Sequence, residues 1–147
     1  MKSLLRILLS IVSLCPLSAA QEVAVGLRAH PGDPVRVLVS FKMPIAPHAL
    51  MARFELSGPL QKDQTGFSGL LDLPDLRKVS ERDYEVSGKV GDHVAAGQYR
   101  LTQIYLTVDG LTRVYRAGSD FQGDVTLDVA NDQRSEFPDI DKVKIVK

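Results

Sequence analysis

Gln103-Ile104-Tyr105-Leu106-Thr107-Val108-Asp109-Gly110-Leu111-Thr112-Arg113-Val114-Tyr115-Arg116 decides the fold of this 147-residue chain. Apolar residues recur at every second position on both sides of Asp109-Gly110, the period that sends alternate side chains to one face of a sheet. Asp-Gly accepts the positive φ angles of a two-residue turn, so the stretch predicts an antiparallel hairpin. Its register can be read directly. Val108 faces Leu111, Leu106 faces Arg113 and Ile104 faces Tyr115 on one side, while Thr107 with Thr112 and Tyr105 with Val114 share the other. Tyr115 then reads as core and Tyr105 as partly exposed.

Immediately upstream, Tyr99 and Leu101 are in one phase, whereas Ile104, Leu106 and Val108 are in the other. One extra residue, a bulge at Thr102 or Gln103, reconciles them. Working outward, the same alternation recurs at Val23, Val25 and Leu27, at Val35, Val37, Val39 and Phe41, and at Ala52, Phe54 and Leu56. It returns at Phe67, Gly69, Leu71 and Leu73, at Tyr84, Val86, Gly88 and Val90, and at Val125, Leu127 and Val129. His30-Pro31-Gly32-Asp33-Pro34 and the segment holding Pro44 and Pro47 break the runs, because proline cannot continue a ladder. The stretch with Pro74, Arg77, Lys78 and Arg82 reads as a polar, solvated connection, and residues 131–141 as a loose one. Val143 and Ile145, spaced by Lys144, predict a short final strand over 143–147, its lysines guarding an edge. No long amphipathic helix and no internal repeat is present. Short strands closely punctuated by turns predict an all-β fold, an antiparallel sandwich of about seven to nine strands.

Asp92-His93-Val94-Ala95-Ala96-Gly97-Gln98-Tyr99 resembles the corner of immunoglobulin-like and fibronectin-like sandwiches, where an acid, a glycine and a tyrosine precede a central strand. Pro31-Gly32-Asp33-Pro34 with the run after it is similar to the first hairpin of secreted immunoglobulin-like and macroglobulin-like modules. The resemblance implies that the Tyr99 hydroxyl bonds back to main chain, and gives Asp92, Gly97 and Tyr99 structural roles. The chain departs from antibody-type domains in having no Trp and no cysteine pair, so no binding residue carries over.

At the other end of the chain, Lys2 and Arg6, the apolar run 7–14 and Ser18-Ala19-Ala20 before Gln21 read as a secretory signal peptide cleaved after Ala20. The run is short of the roughly 20 residues a bilayer span needs. The expected domains are a signal peptide over 1–20 and one β domain over 21–147, secreted or periplasmic, with no membrane span after cleavage. The leader carries Lys2 and Arg6 and no acid, so 127 residues with 16 basic and 18 acidic side chains remain, a formal charge of −2. That balance speaks against nucleic acid. The single cysteine, Cys15, lies in the leader, leaving no thiol or disulfide. Leu14 before it and Pro16 after it do not suit a lipid-anchor site.

Catalysis is not expected. His30, His48 and His93 sit in or beside loops without a second ligand at metal spacing, and neither a Gly-x-Ser-x-Gly elbow nor a mature cysteine offers a nucleophile. The aspartates near strand ends, among them Asp72, Asp75, Asp120 and Asp124, miss the calcium-loop pattern and suit backbone hydrogen bonding in turns. No cofactor is implied. The expected function is a non-catalytic binding or scaffolding module that contacts an envelope or extracellular protein through loops or an edge strand, with Val143 and Ile145 on the suspected edge. Two alternatives stand beside it. One is a carbohydrate-binding module using Tyr105 as its exposed aromatic platform. The other is a small envelope enzyme or enzyme inhibitor working through loops 42–48 and 58–65.

Overall fold

The computed structural model describes residues 27–146; the leader, Cys15, Val23 and Val25 lie outside the described residues. Nine strands follow in order: β1 Leu27–Ala29, β2 Pro34–Ser40, β3 Ala49–Leu56, β4 Leu70–Leu73, β5 Asp75–Lys78, β6 Asp83–Lys89, β7 Gly97–Val108, β8 Leu111–Arg116 and β9 Thr126–Val129. A single 3-10 turn, Lys62–Gln64, interrupts the loop between β3 and β4. The fold is all-β, in two sheets. The larger runs β1-β9-β7-β3-β4 with β8 also on β7, and the smaller runs β2-β6-β5.

β7 organises the larger sheet because it is long enough to hold three neighbours. Along one edge it pairs with β3; along the other it pairs with β9 through Arg100 and then with β8 from Gln103. The Asp109-Gly110 hairpin forms with the register expected from its alternation, Val108 opposite Leu111 through Ile104 opposite Tyr115. Both turn residues take positive φ, 51° and 78°. The predicted bulge is also present. Arg53 pairs with Gln103 and the next residue, Phe54, with Leu101, so Thr102 is the extra residue. It flips the phase of β7, which is how Tyr99 and Leu101 before it and Ile104 and Leu106 after it all reach the core.

One core lies between the sheets. Leu50, Ala52 and Phe54 of β3, Leu71 and Leu73 of β4 and Leu127 of β9 meet Val35 of β2 with Tyr84 and Val86 of β6. At about 25 cal/mol per Å² of apolar surface, this burial is the main driving force, there being no disulfide to constrain the unfolded chain.

Two expectations are corrected. The polar connection after Leu73 contains β5, whose Arg77 pairs across strands with Glu85 of β6. Its pattern hid it because a short edge strand needs only one inward apolar residue, here the half-buried Leu76. Pro74 lies between β4 in one sheet and β5 in the other, so it marks where the chain changes sheets. The final strand over 143–147 does not form: residues 130–146 hold no strand, and Val143 and Ile145 are 83% and 97% exposed. With no sheet edge beside them, their β propensity has nothing to pack on.

Candidate functional site

The corner residues are brought together as a structural unit. Gly97 opens β7 at φ +141°, a conformation that calls for glycine, and a Cβ there would have to displace the tip of the Leu56 side chain, 2.7 Å away. Two residues on, Tyr99 is fully buried with its hydroxyl 2.9 Å from the Ala95 carbonyl and 3.1 Å from that of Ser68. Burial pushes its phenol up to about 12. Asp92 contributes its main-chain carbonyl, which accepts a 2.9 Å bond from Asn131 Nδ2.

That bond belongs to a network the sequence reading missed. Gln64 is buried, donating from Nε2 to the carbonyls of Asn131 and Gln133 at 2.8 and 2.9 Å and accepting at Oε1 from Ala96 N–H at 2.8 Å. Asn131, also buried, donates to the carbonyls of Asp92 and Val94 and accepts from Gln133 N–H. Two amides thereby satisfy six main-chain groups from two segments, 92–96 and 131–133. Asp63 ties residues 134 and 135 down by an ion pair to Arg134 and a bond from Ser135 N–H. The signal was weak, because Gln64 and Asn131 sit in polar stretches where amides are ordinarily exposed.

On the outer face of the larger sheet, Arg53 grips Asp72 through two bonds of 2.7 and 2.8 Å and donates to the Tyr105 hydroxyl at 3.1 Å. The hydrogen bond to Asp72 raises the guanidinium above its ordinary value. Tyr105 is half-buried, its ring under the Arg53 cation at 5.3 Å and its hydroxyl on Gln103. The ring is thus partly exposed, as its phase in the hairpin predicts, with the Arg53 guanidinium over one side of it. Tyr115 is covered likewise by Arg113, 4.5 Å from its ring.

Of the histidines, His30 lies 3.4 Å from Asp33 in the β1–β2 turn, His93 packs its ring on Phe67, and His48 is exposed at the start of β3. No group of three or more metal-ligating side chains occurs among the described residues. A depression of about 350 Å³ at the hairpin tip is open to solvent and lined by Leu106, Val108, Leu111 and Arg113.

The open edges provide the most extended contact surface. β2 is an edge strand of seven residues. Asp33 bonds Val90 and Phe41 bonds Arg82 through main chain, so the odd positions between them face β6. In an antiparallel ladder the alternate residues then turn their N–H and C=O outward, here Arg36, Leu38 and Ser40. Leu38 is 61% exposed, and Arg36 is the one charged side chain on the strand. On the inner face Val37 and Val39 are only half-buried, unlike Val86 on the central strand at 0%. Among the described residues no strand lies beyond β2. Across the outer face, the Ser40 and Ser80 hydroxyls hold the Asp83 carboxyl below its ordinary value, and Arg77 does the same for Glu85.

No family model matches this chain, and no curated protein matches it. Among solved structures, it is similar to a 1.4 Å crystal structure of an uncharacterized protein from Bacillus anthracis str. Ames. The likeness has a TM-score of 0.36 and 13% identity over 74% of this chain and 81% of that one, and it carries no argument about function.

Proposed function

We propose that this protein is an exported, non-catalytic binding module of immunoglobulin-like fold that takes an envelope or extracellular protein along the open edge of β2. The fold assignment is supported by strand order. β2-β6-β5 corresponds to the B-E-D order of such sandwiches, and β9-β7-β3-β4 to G-F-C with one added strand. Tyr99 near the start of β7, bonded back to Ala95, corresponds to their tyrosine corner. The lysine and arginine before the apolar run 7–14 and the small residues before Gln21 support export.

The observation that carries the binding reading is the β2 edge. Natural edges are kept short, charged or covered, because unpaired N–H and C=O groups template another strand. β1 has three residues, β4 and β5 four each, and β8 carries Arg113 and Arg116. β2 has seven residues, one outward charge and half-buried valines beneath it. Such an edge accepts an extended segment, main-chain bonds giving affinity and alternate side chains giving specificity.

The test compares wild type with Leu38→Pro in capture from crosslinked envelope and medium fractions. Leu38 N–H points away from β6, so proline removes an outward donor and no ladder bond. A protein retained by wild type and lost with Leu38→Pro, at an unchanged unfolding midpoint, is the expected result. Equal retention by both places binding elsewhere and defeats the reading.

A further inference from the structure

We infer that the β2 edge of one molecule is filled by residues 138–146 of a second copy of this chain. The inference rests on the β2-edge reading above and names its occupant.

The donor is on the same chain as the acceptor. After Phe137, whose N–H bonds the Thr65 hydroxyl, residues 138–146 form no element. Ile140, Val143, Ile145 and Val146 are 81%, 83%, 97% and 91% exposed, a concentration of bare apolar side chains found nowhere else among the described residues. Nine extended residues span about 30 Å, enough to run the length of a seven-residue strand of about 23 Å. The period fits as well. With Val143 and Ile145 turned inward, they cover Val37 and Val39, which packing within one molecule leaves half-buried. Lys142 and Lys144 then fall on the outer face, where β2 presents Leu38, for the lysine stems to lie on, beside Arg36, and β6, one strand further, presents Asp83 and Glu85. The rival edge, β8, sets Arg116 on its outer face, and its neighbour β7 carries no carboxylate. The Asp83 and Glu85 carboxylates therefore favour β2.

A donor on one face and an acceptor on another make the contact heterologous: two copies close into an exchanged dimer or successive copies form an open chain. The deletion of 138–147 removes the donor without touching any core residue, and Leu38→Pro removes the acceptor.

Sedimentation over a concentration series tests this on the protein purified as the cell processes it from the full sequence. Wild type is expected to self-associate. The double variant Val143→Asp with Ile145→Asp, the deletion of 138–147, and Leu38→Pro are each expected to weaken association at least tenfold while keeping their sheet signal. The decisive arm mixes Leu38→Pro, which keeps its donor, with the double variant, which keeps its acceptor. A 1:1 complex that neither forms alone is expected. A wild type that stays monomeric to its solubility limit overturns the inference. If a Leu38-dependent partner is still captured, the β2 reading survives that failure; if none is, both fall. Self-association that persists in the tail variants and vanishes when residues 21–26 are removed assigns the edge to that segment and also overturns it.

Discussion

Around Tyr99, main-chain groups from three separate segments, Ser68, 92–96 and 131–133, are closed off by buried side chains, whereas along β2 the N–H and C=O groups of Arg36, Leu38 and Ser40 meet no strand among the described residues. Both regions border the same core. At the corner, loops without a ladder meet, so each buried polar group needs an individually placed partner, and Gln64, Asn131 and Tyr99 supply them. At β2 the ladder is regular, and half of its groups find no strand partner among the described residues. Of these two borders of the core, the corner is fixed by individually placed polar side chains, and the β2 edge keeps the capacity for new contacts. If that contrast is right, polar substitutions at the corner are costly and apolar ones at the edge are cheap, the reverse of the usual order.

The largest effect is expected for Gln64→Ala. It leaves Ala96 N–H and the carbonyls of Asn131 and Gln133 without their partner, and a buried group so abandoned costs about 1–3 kcal/mol. A loss of about 3 kcal/mol or more in urea unfolding is expected, with β content retained. A loss below about 1 kcal/mol would show that water replaces the amide and that the corner is not closed.

Tyr99→Phe comes next, at about 1–2 kcal/mol for the hydroxyl alone. Its pH signature separates it from a packing defect. The folded phenol is raised to about 12 against about 10 unfolded, so its contribution is complete below pH 10 and is lost as pH rises toward 12. Wild-type stability should fall across that window more steeply than that of Tyr99→Phe. Parallel curves would remove the tyrosine from the account of alkaline unfolding.

The sequence showed those parts of the fold that follow from local period. The hairpin register, the Thr102 bulge and the burial of Tyr99 all follow from side-chain parity within one or two strands. β5 stayed hidden because Asp75-Leu76-Arg77-Lys78 has one apolar residue and owes its strand to pairing with β6. Residues 143–147 misled in the opposite sense, since Val143 and Ile145 have strand period with no strand beside them. Gln64 and Asn131 were illegible because their partners are 32 to 69 residues away and are main-chain atoms, which leave no residue-type signature. The candidate edge was only half legible: alternation marked β2 as a strand, but which strand lacks a neighbour is a property of topology.

Asp72→Asn tests the middle of the range. Arg53 and Asp72 are about a third exposed, so solvent screens their pairing, and about 0.5–1 kcal/mol is expected despite the two-pronged geometry. The same change should loosen Arg53 from Tyr105, read as greater access of the tyrosine ring to a fluorescence quencher. Unaltered access would mean that the hydroxyl bond to Gln103 fixes the ring without the arginine.

The smallest effect is expected at the edge itself. In dilute solution, deleting residues 138–147 should leave the unfolding midpoint within about 0.5 kcal/mol of wild type, because the removed side chains are exposed and away from the core. Concentration is what makes this small number informative. A segment that binds only a folded second copy stabilises by mass action, so the wild-type midpoint should climb with protein concentration while that of the deleted chain stays level. Two level curves at equal height would leave the tail without any energetic link to the fold. A deleted chain lower by a constant amount at every concentration would mean instead that the tail folds back on its own molecule, and the contrast between a closed corner and an open flank would then hold for the corner alone.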